Sequence, residues 1–253
     1  NRLIMAINTD KNVYTVVFAA VMVIVVGSVL ALTASGLSDK IKENERFEKQ
    51  QNILYAMGVN ENVDEGTVNF IPADKVEAEF TKYIKEQLVI EGDKVTPDPN
   101  AYLINMKKEV AVAKSGGTPK LPLFVGEKDG KKFYIIPMYG KGLWDAIWGF
   151  IALDDQMVVQ GVYFDHKGET PGLGANIKQR YFMDDFVGET IMAGTEYAGI
   201  EVAKGNNDPT NLIKDDNEVD ALAGATITGN GVSAMISETM NLYKDYLKTI
   251  RTN

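Results

Sequence analysis

The first pattern along the chain is a long apolar stretch close to its beginning. Residues 13–33 read VYTVVFAAVMVIVVGSVLALT and contain no charged side chain. At about 1.5 Å per residue, a helix of this length spans a hydrocarbon core of about 30 Å. A cleaved signal peptide and a buried helix are alternatives, but the run exceeds the roughly 7–15 residues of a signal-peptide core. The pattern therefore predicts a retained membrane anchor within residues 1–36.

The charges around this stretch do not orient it in a membrane. Arg2 and Lys11 precede it, and basic residues also follow it, namely Lys40, Lys42, Arg46 and Lys49. Long downstream domains also cross membranes regardless of such charges. The side on which the rest of the chain lies is therefore not decided by local charge.

Residues 37–100 are predicted to form a helical stalk region. Ser38 is a candidate N-cap for a first helix that stops at Gly58. A second helix is predicted over DKVEAEFTKYIKEQLVIEG, residues 74–92, because apolar residues recur there at helical spacing. The apolar face comprises Val76, Phe80, Tyr83, Ile84 and Leu88.

Residues 101–253 are predicted to form one α+β domain with antiparallel strands. From about Tyr102 the pattern favours strands, with one hairpin turning at Asp129-Gly130 and another at Asp154-Asp155. A short helix is expected over 177–189 and a strand over 196–205. A C-terminal helix is expected to start between 228 and 230 and to end near 250, with six residues facing inward: Val232, Met235, Ile236, Met240, Tyr243 and Leu247.

Composition then removes several classes of function. The chain has no cysteine, so it offers no disulfide, no thiolate zinc or iron–sulfur ligand and no thiol nucleophile. It has one histidine, His166, so a two-histidine metal site cannot form, and no metal site is expected. The net charge is −9 without a long basic run, which argues against nucleic-acid binding. Redox chemistry in this chain would therefore need an organic cofactor.

Three glycine-containing segments are candidates for a ligand site. The first is YGKGLWD, residues 139–145, which places Lys141 between two glycines and then presents Leu143 and Trp144. It is not a P-loop, because the required spacing and the following Ser or Thr are absent. The alternative interpretation is a tight turn followed by core residues.

The second segment is DHKGETPGLGANI, residues 165–177. It contains the polar residues Glu169 and Thr170, and Lys178 follows it directly. Glycines let backbone N–H groups approach a ligand closely, although an ordinary surface turn is the alternative. His166 is expected to lie at the surface or to support the loop rather than to bind a ligand directly.

The third segment is VDALAGATITGNG, residues 219–231. The small residues Ala223, Gly224 and Ala225 precede Thr226, and a helix is predicted to follow. A helix N-terminus combines unpaired N–H donors with the positive end of the helix dipole, which suits a phosphate. The alternative is that Thr226 or Thr228 simply caps the helix.

Together, the three segments resemble the FMN-binding domain of bacterial respiratory flavoproteins. DALAGATIT resembles a flavinylation motif, in which an Asp and a small-Gly-Ala-Thr turn receive FMN through a phosphoester, and YGKGLW and GETPGLG resemble the two other signatures. Their order and the single span resemble the C subunit of the Na⁺-translocating NADH:quinone oxidoreductase. The related Rnf complex has a G subunit with the same domain, generally in a shorter chain. Ala223 departs from the Ser or Thr that is usual in the family.

The resemblance implies a covalent FMN on Thr226 and a role for Asp220 in the element that the flavin transferase recognises. Thr228 is implied as a helix cap or a phosphate donor, and Lys178 as a neutralising charge. The remaining implied FMN contacts are Tyr139, Gly142, Leu143, Trp144, Glu169, Thr170, Leu173, Gly174, Ala223, Gly224 and Ala225. No residue is implied as a catalytic acid, base or nucleophile.

The resemblance also implies a function in electron transfer. It implies that electrons pass from an upstream iron–sulfur centre, through this FMN, to a flavin in a partner protein during sodium-coupled NADH:quinone oxidoreduction. The implied partners are the A, B, D, E and F subunits, closest to B and to the D/E pair. The implied location is the bacterial inner membrane, with the FMN domain on the extracytoplasmic side. The alternatives are an Rnf-type G subunit and a membrane-anchored binding module without a cofactor.

Overall fold

The structure, a computed structural model, describes residues 12–63, 66–206, 208 and 211–251. The contacts between residues within the chain divide the protein into two units, Asn1–Glu45 and Arg46–Asn253. The second unit contains an antiparallel sheet and a long C-terminal helix, so the predicted α+β class is confirmed.

The first helix, α1, runs without interruption from Asn12 to Ala56. The prediction of a separate stalk helix capped by Ser38 is therefore wrong, because Ser38 lies inside α1. No proline interrupts the sequence at this point, and the isolated Gly36 does not break the helix. The stop at Gly58 is confirmed, since this residue has φ +75° after the helix end. Among the described residues, α1 is the one helix that is long and apolar enough to cross a membrane.

The second predicted helix is only half helical. Helix α2 spans Ala73–Tyr83, and strand β1 follows at once over Ile84–Glu91. Ile84 and Leu88 are four positions apart, a spacing that fits one face of a helix and equally one face of a strand. The buried run Leu88 to Ile90 belongs to a strand that has neighbours on both edges. The predicted helical region 37–100 is thus wrong from Ile84 onward.

A second correction concerns the residues after Tyr102, where strands were expected immediately. Strand β2 (Lys94–Pro97) is followed by a short turn of 3-10 helix and then by helix α3, Met106–Lys114. The side chain of Asn105 caps α3 by accepting a hydrogen bond from the Lys108 N–H at 3.3 Å. The cap is a local signal that the strand interpretation overlooked.

The central sheet has the order β2-β1-β3-β4-β5-β6, and all its pairs are antiparallel. Its remaining strands are β3 (Leu121–Lys128), β4 (Lys131–Lys141), β5 (Ala146–Leu153) and β6 (Val159–His166). Both predicted hairpins are confirmed. Asp129 and Gly130 have φ of 53° and 75°, as expected for a tight hairpin turn.

Shorter elements connect the sheet to the C-terminus. Helix α4 (Arg180–Asp185) confirms the predicted short helix. Strands β7 (Met192–Ala193) and β8 (Glu196–Tyr197) pair with each other, and β9 (Glu201–Val202) pairs with β10 (Glu218–Val219). The predicted strand 196–205 is therefore divided into β8 and β9, with Gly199 at φ +82° between them.

The C-terminal helix α5 spans Thr226–Ile250 and packs on strand β4. All six residues predicted to face inward are buried. Two glycines permit close approach: a Cβ on Gly140 would lie 2.7 Å from the Cβ of Met235, and one on Gly231 would strike the carbonyl oxygen of Lys141. The start of α5 is consequently fixed beside the end of β4.

Candidate functional site

Glu169 connects the three glycine-containing segments. Its Oε1 accepts a hydrogen bond from the Trp144 N–H at 2.9 Å, and its Oε2 accepts one from the Thr228 hydroxyl at 2.6 Å. The residue is 4% exposed. Segments that are far apart in the chain thus meet at a single buried carboxylate.

Two of the signature glycines make room for this carboxylate. A Cβ added to Gly142 would lie 2.5 Å from Oε1 of Glu169. A Cβ added to Gly174 would collide with both Glu169 Oε2 and the Thr228 hydroxyl oxygen. Any side chain at either position therefore displaces the hydrogen-bonded arrangement.

Trp144 forms a fixed aromatic surface although it is 67% exposed. Its backbone N–H is held by Glu169, and its indole Nε1–H donates to the Thr170 hydroxyl at 3.2 Å. Three further large apolar side chains of the motif segments are exposed: Leu143, Leu173 and Ile227. Leu173 lies against Gly224, where an added Cβ would be 2.9 Å from its Cδ2. The segments thus expose apolar surface next to the start of α5.

The N-terminus of α5 is open to solvent. Thr226 is the first helical residue and is exposed, and the preceding Ala225 provides no side-chain cap. The first backbone bond of the helix runs from the Gly229 N–H to the Ala225 carbonyl at 2.9 Å. Within the part of the chain that the structure describes, the N–H groups of Thr226, Ile227 and Thr228 have no hydrogen-bond acceptor. Such a group of donors, at the positive end of a long helix, suits an anion.

The capping interpretation of the two threonines is therefore wrong. Thr226 lies after the cap position, and Thr228 lies in the first turn with its hydroxyl committed to Glu169. The backbone reaches this helix through Gly224 at φ +67°, a conformation that residues with a Cβ rarely adopt. Ala223 is exposed just before it.

The remaining predicted site residues lie in other surroundings. The Nζ of Lys178 is 3.9 Å from a carboxylate oxygen of Asp165, and no described hydrogen bond or ion pair links it to the start of α5. Tyr139 lines a cavity of about 360 Å³ together with Trp144 and Met235. Asp220 lines a different cavity of about 490 Å³, together with Asp185.

His166 supports the second segment through one hydrogen bond. Its Nδ1 accepts a hydrogen bond from the Glu169 N–H at 3.2 Å, so the imidazole helps to fix the backbone of the residue that joins the site. Apart from the closeness of the two residues in the chain, no sequence pattern indicated this contact.

The segment that leads to Asp220 contacts one buried acid, Glu189, and lies near a second, half-buried acid, Asp185. Glu189 is fully buried, with Oε1 3.0 Å from Asn211 Nδ2 and 3.8 Å from Lys214 Nζ. Burial raises the pKa of Glu189 to about 7. Burial, together with the nearby charge of Asp220, raises the pKa of Asp185 to about 6. Sequence reasoning did not identify these two groups.

The exposed Thr226, the Trp144 indole and the glycine-lined Glu169 carboxylate all lie within one recognisable sequence domain, and that domain gives the class of the protein. The family model of the FMN-binding domain matches residues 142–241, which include all three of these features.

Comparison with known proteins defines the family more narrowly. The chain is 30% identical over 245 residues to the C subunit of the Na⁺-translocating NADH-quinone reductase of Vibrio anguillarum, covering 90% of both chains. It is 28% identical over 264 residues to that of Yersinia pestis, covering 96% of this chain and 95% of the relative. The chain belongs to the family of C subunits of Na⁺-translocating NADH-quinone reductases, as the motifs predicted.

Solved structures agree with this assignment. The corresponding protein from Parabacteroides distasonis superposes with a TM-score of 0.70 at 30% identity, covering 86% of this chain and 98% of that structure. The NqrC of Shewanella oneidensis superposes with a TM-score of 0.64 at 26% identity, covering 81% of this chain and 99% of that structure.

Proposed function

We propose that this chain carries FMN as a phosphoester on Thr226 and relays electrons within a Na⁺-translocating NADH:quinone reductase. The main support for the proposal is the geometry at the start of α5. There the exposed Thr226 hydroxyl lies at a helix N-terminus whose first three N–H groups have no hydrogen-bond acceptor among the described residues. Family membership supports the same assignment.

The chemistry of attachment requires an activated donor, a flavin dinucleotide, and a flavin transferase. The Thr226 oxygen forms a bond to phosphorus, and the bond between phosphorus and the leaving nucleotide breaks. The hydroxyl proton passes to a base of the transferase or to solvent, and the resulting diester would keep one negative charge. The first-turn N–H groups stabilise that charge without any rearrangement of the helix.

The proposed surroundings of the cofactor follow from the same arrangement. Trp144, held by Glu169 and Thr170, presents its exposed indole as a surface for stacking. Leu143 and Leu173 provide apolar contacts, Gly142 and Gly174 make room for the Glu169 carboxylate that holds Trp144, and the small residues of the turn 223–225 leave space beside Thr226. Tyr139 and Thr228 are the remaining proposed contacts of the FMN. When bound, FMN supplies the one-electron chemistry that the side chains of this chain lack.

Lys178 and Asp220 have separate proposed roles. Lys178 is proposed to approach the phosphate, for which its ammonium must leave the partly exposed, 3.9 Å pair with Asp165, a weak interaction worth about 1 kcal/mol. Asp220 is proposed to contact the transferase during attachment. It is half-buried and lines its cavity, so part of its side chain is at the surface of the folded chain.

The proposed assembly is the membrane complex that also contains the A, B, D, E and F subunits. The apolar part of α1 anchors the chain in the bacterial inner membrane, and the FMN domain lies on the extracytoplasmic side. Electrons arrive from an upstream iron–sulfur centre and leave toward a flavin in the B subunit. The exposed apolar span and the relatives from the same reductase support this proposal.

The test is denaturing gel electrophoresis of the protein purified from native membranes, viewed under ultraviolet light. We expect a fluorescent band in wild type and in Thr226→Ser, which keeps a hydroxyl, and none in Thr226→Ala. Fluorescence that persists in Thr226→Ala would place the flavin elsewhere. A wild-type protein without flavin would instead support a binding module that lacks a cofactor.

A further inference from the structure

Two hydroxyls in the first turn of α5 are chemically equivalent and structurally different. Thr226 and Thr228 lie two positions apart, and each carries an oxygen that a phosphate could esterify. Thr226 is exposed, whereas Thr228 is 1% exposed and donates its hydroxyl proton to Glu169. Glu169 is therefore the residue that distinguishes the two hydroxyls.

Glu169 places a buried carboxylate directly against the Thr228 hydroxyl. Within the described residues it forms no ion pair, and its side-chain donors are the Trp144 N–H and the Thr228 hydroxyl. A buried carboxylate without a cation repels a second anion strongly, because the surrounding protein screens charge poorly. A phosphate at the Thr228 oxygen would lie next to that carboxylate.

The tight packing around the Thr228 hydroxyl oxygen also disfavours a phosphate at this residue. Even a single Cβ on Gly174 would collide with the Thr228 oxygen and with Glu169 Oε2. A hydroxyl that donates to a carboxylate is also the arrangement of an activated nucleophile. At Thr228, however, a tetrahedral phosphate fits only if the Glu169 side chain moves aside, and the charge-assisted hydrogen bond between this side chain and the Thr228 hydroxyl opposes that movement.

We propose that Glu169 is a positioning residue that directs FMN to Thr226 by withholding Thr228. This inference rests on the proposed attachment of FMN to α5. Glu169 takes no part in the bond changes, in which the Thr226 oxygen replaces the leaving nucleotide on phosphorus. Its effect is to keep the Thr228 hydroxyl hydrogen-bonded, enclosed and beside a negative charge. Thr226 is then the one hydroxyl of the two that can be esterified by FMN.

The test locates the flavin by mass spectrometry after coexpression of the full chain with a flavin transferase. Trypsin releases one peptide, residues 215–244, that contains both threonines, and fragmentation distinguishes them. The variants are Thr226→Ala, Glu169→Gln and their combination. Glutamine can accept from the Trp144 N–H and donate to the Thr228 oxygen, so it keeps the shape while removing the charge. Thr226→Ala with Glu189→Gln is the control, since Glu189 is also fully buried.

We expect FMN on Thr226 alone in wild type, and no FMN in Thr226→Ala or in the control. In Glu169→Gln, the ratio of FMN on Thr228 to FMN on Thr226 should be at least about tenfold above the upper limit that the wild-type spectra set, the effect of losing one charge-assisted hydrogen bond. The combination of Thr226→Ala and Glu169→Gln should carry FMN on Thr228. Thermal unfolding of each variant verifies that it is folded.

Three results overturn the inference while leaving the attachment to Thr226 intact. The first is a folded double variant without flavin although wild type is loaded. The second is a Glu169→Gln protein whose flavin stays entirely on Thr226. The third is flavin on Thr228 already in Thr226→Ala, which would show that Glu169 does not withhold this hydroxyl. A wild-type chain without FMN would overturn the proposed function itself.

Discussion

The hydroxyl of Thr228 donates to Oε2 of Glu169 over 2.6 Å and thereby joins residues 59 positions apart in the chain. The other oxygen of the same carboxylate holds the backbone of Trp144. One side chain thus fixes the first turn of α5 and the aromatic residue that faces the proposed cofactor. Loss of this carboxylate is therefore expected to disturb both.

Removing the Glu169 side chain should destabilise the protein. Glu169→Ala leaves the Trp144 N–H and the buried Thr228 hydroxyl without their acceptor, which should lower the free energy of unfolding by about 1–3 kcal/mol per unpaired group. Urea titration of the detergent-solubilised chain, followed by tryptophan fluorescence, measures the loss. Glu169→Gln should lose clearly less, and equal losses in the two variants would contradict the assigned hydrogen bonds.

Two of the three glycines of the second segment, Gly168 and Gly174, should respond differently to a methyl group. Gly174→Ala places a Cβ against Glu169 and Thr228 and should destabilise the protein by about 1–3 kcal/mol, as for an overpacked core. Gly168→Ala is the matched control, because the nearest atom to its Cβ would be 3.7 Å away, on Asp145. Equal urea midpoints in the two variants would show that Gly174 is not needed to make room for the carboxylate.

Stability should depend on pH through Glu189. Burial raises its pKa from 4.5 to about 7, so the folded protein retains a proton that the unfolded chain releases. The stability due to this group is therefore fully present below pH 4.5 and declines as the pH rises toward about 7. We expect a decline on the order of 1–3 kcal/mol, since each pKa unit corresponds to about 1.4 kcal/mol.

Glu189→Gln isolates this effect, because it removes the titrating group while keeping a polar side chain near Asn211 and Lys214. The variant should show a flatter dependence of the urea midpoint on pH across the same range. An unchanged slope would mean that another group, such as Asp185 with its pKa of about 6, causes the decline.

The sequence was most informative where local chemistry determines structure. Asp129-Gly130 between alternating residues predicted a hairpin, and the helical spacing of Val232, Met235 and Ile236 predicted the buried face of α5. Ile84 and Leu88 were misleading, because their spacing fits both a helix and a strand. Only the neighbours β2 and β3 decide in favour of the strand.

At the site, the three segments were recognisable one by one, but their mutual arrangement was not. Glu169 and Thr228 were each selected from the sequence. Their hydrogen bond depends on the packing of α5 against β4 through Gly140 and Gly231, which no local pattern encodes. The same applies to Glu189 and Asn211, which meet only through tertiary structure.

The most direct test of flavin attachment to Thr226 is the intact mass of the chain purified from native membranes, compared with Thr226→Ala and Thr226→Ser. We predict that wild type and Thr226→Ser exceed the mass of their polypeptide by one FMN less one water. Thr226→Ala should have the mass of the bare polypeptide. A wild-type mass equal to the bare chain, or an FMN adduct that survives in Thr226→Ala, would contradict the attachment.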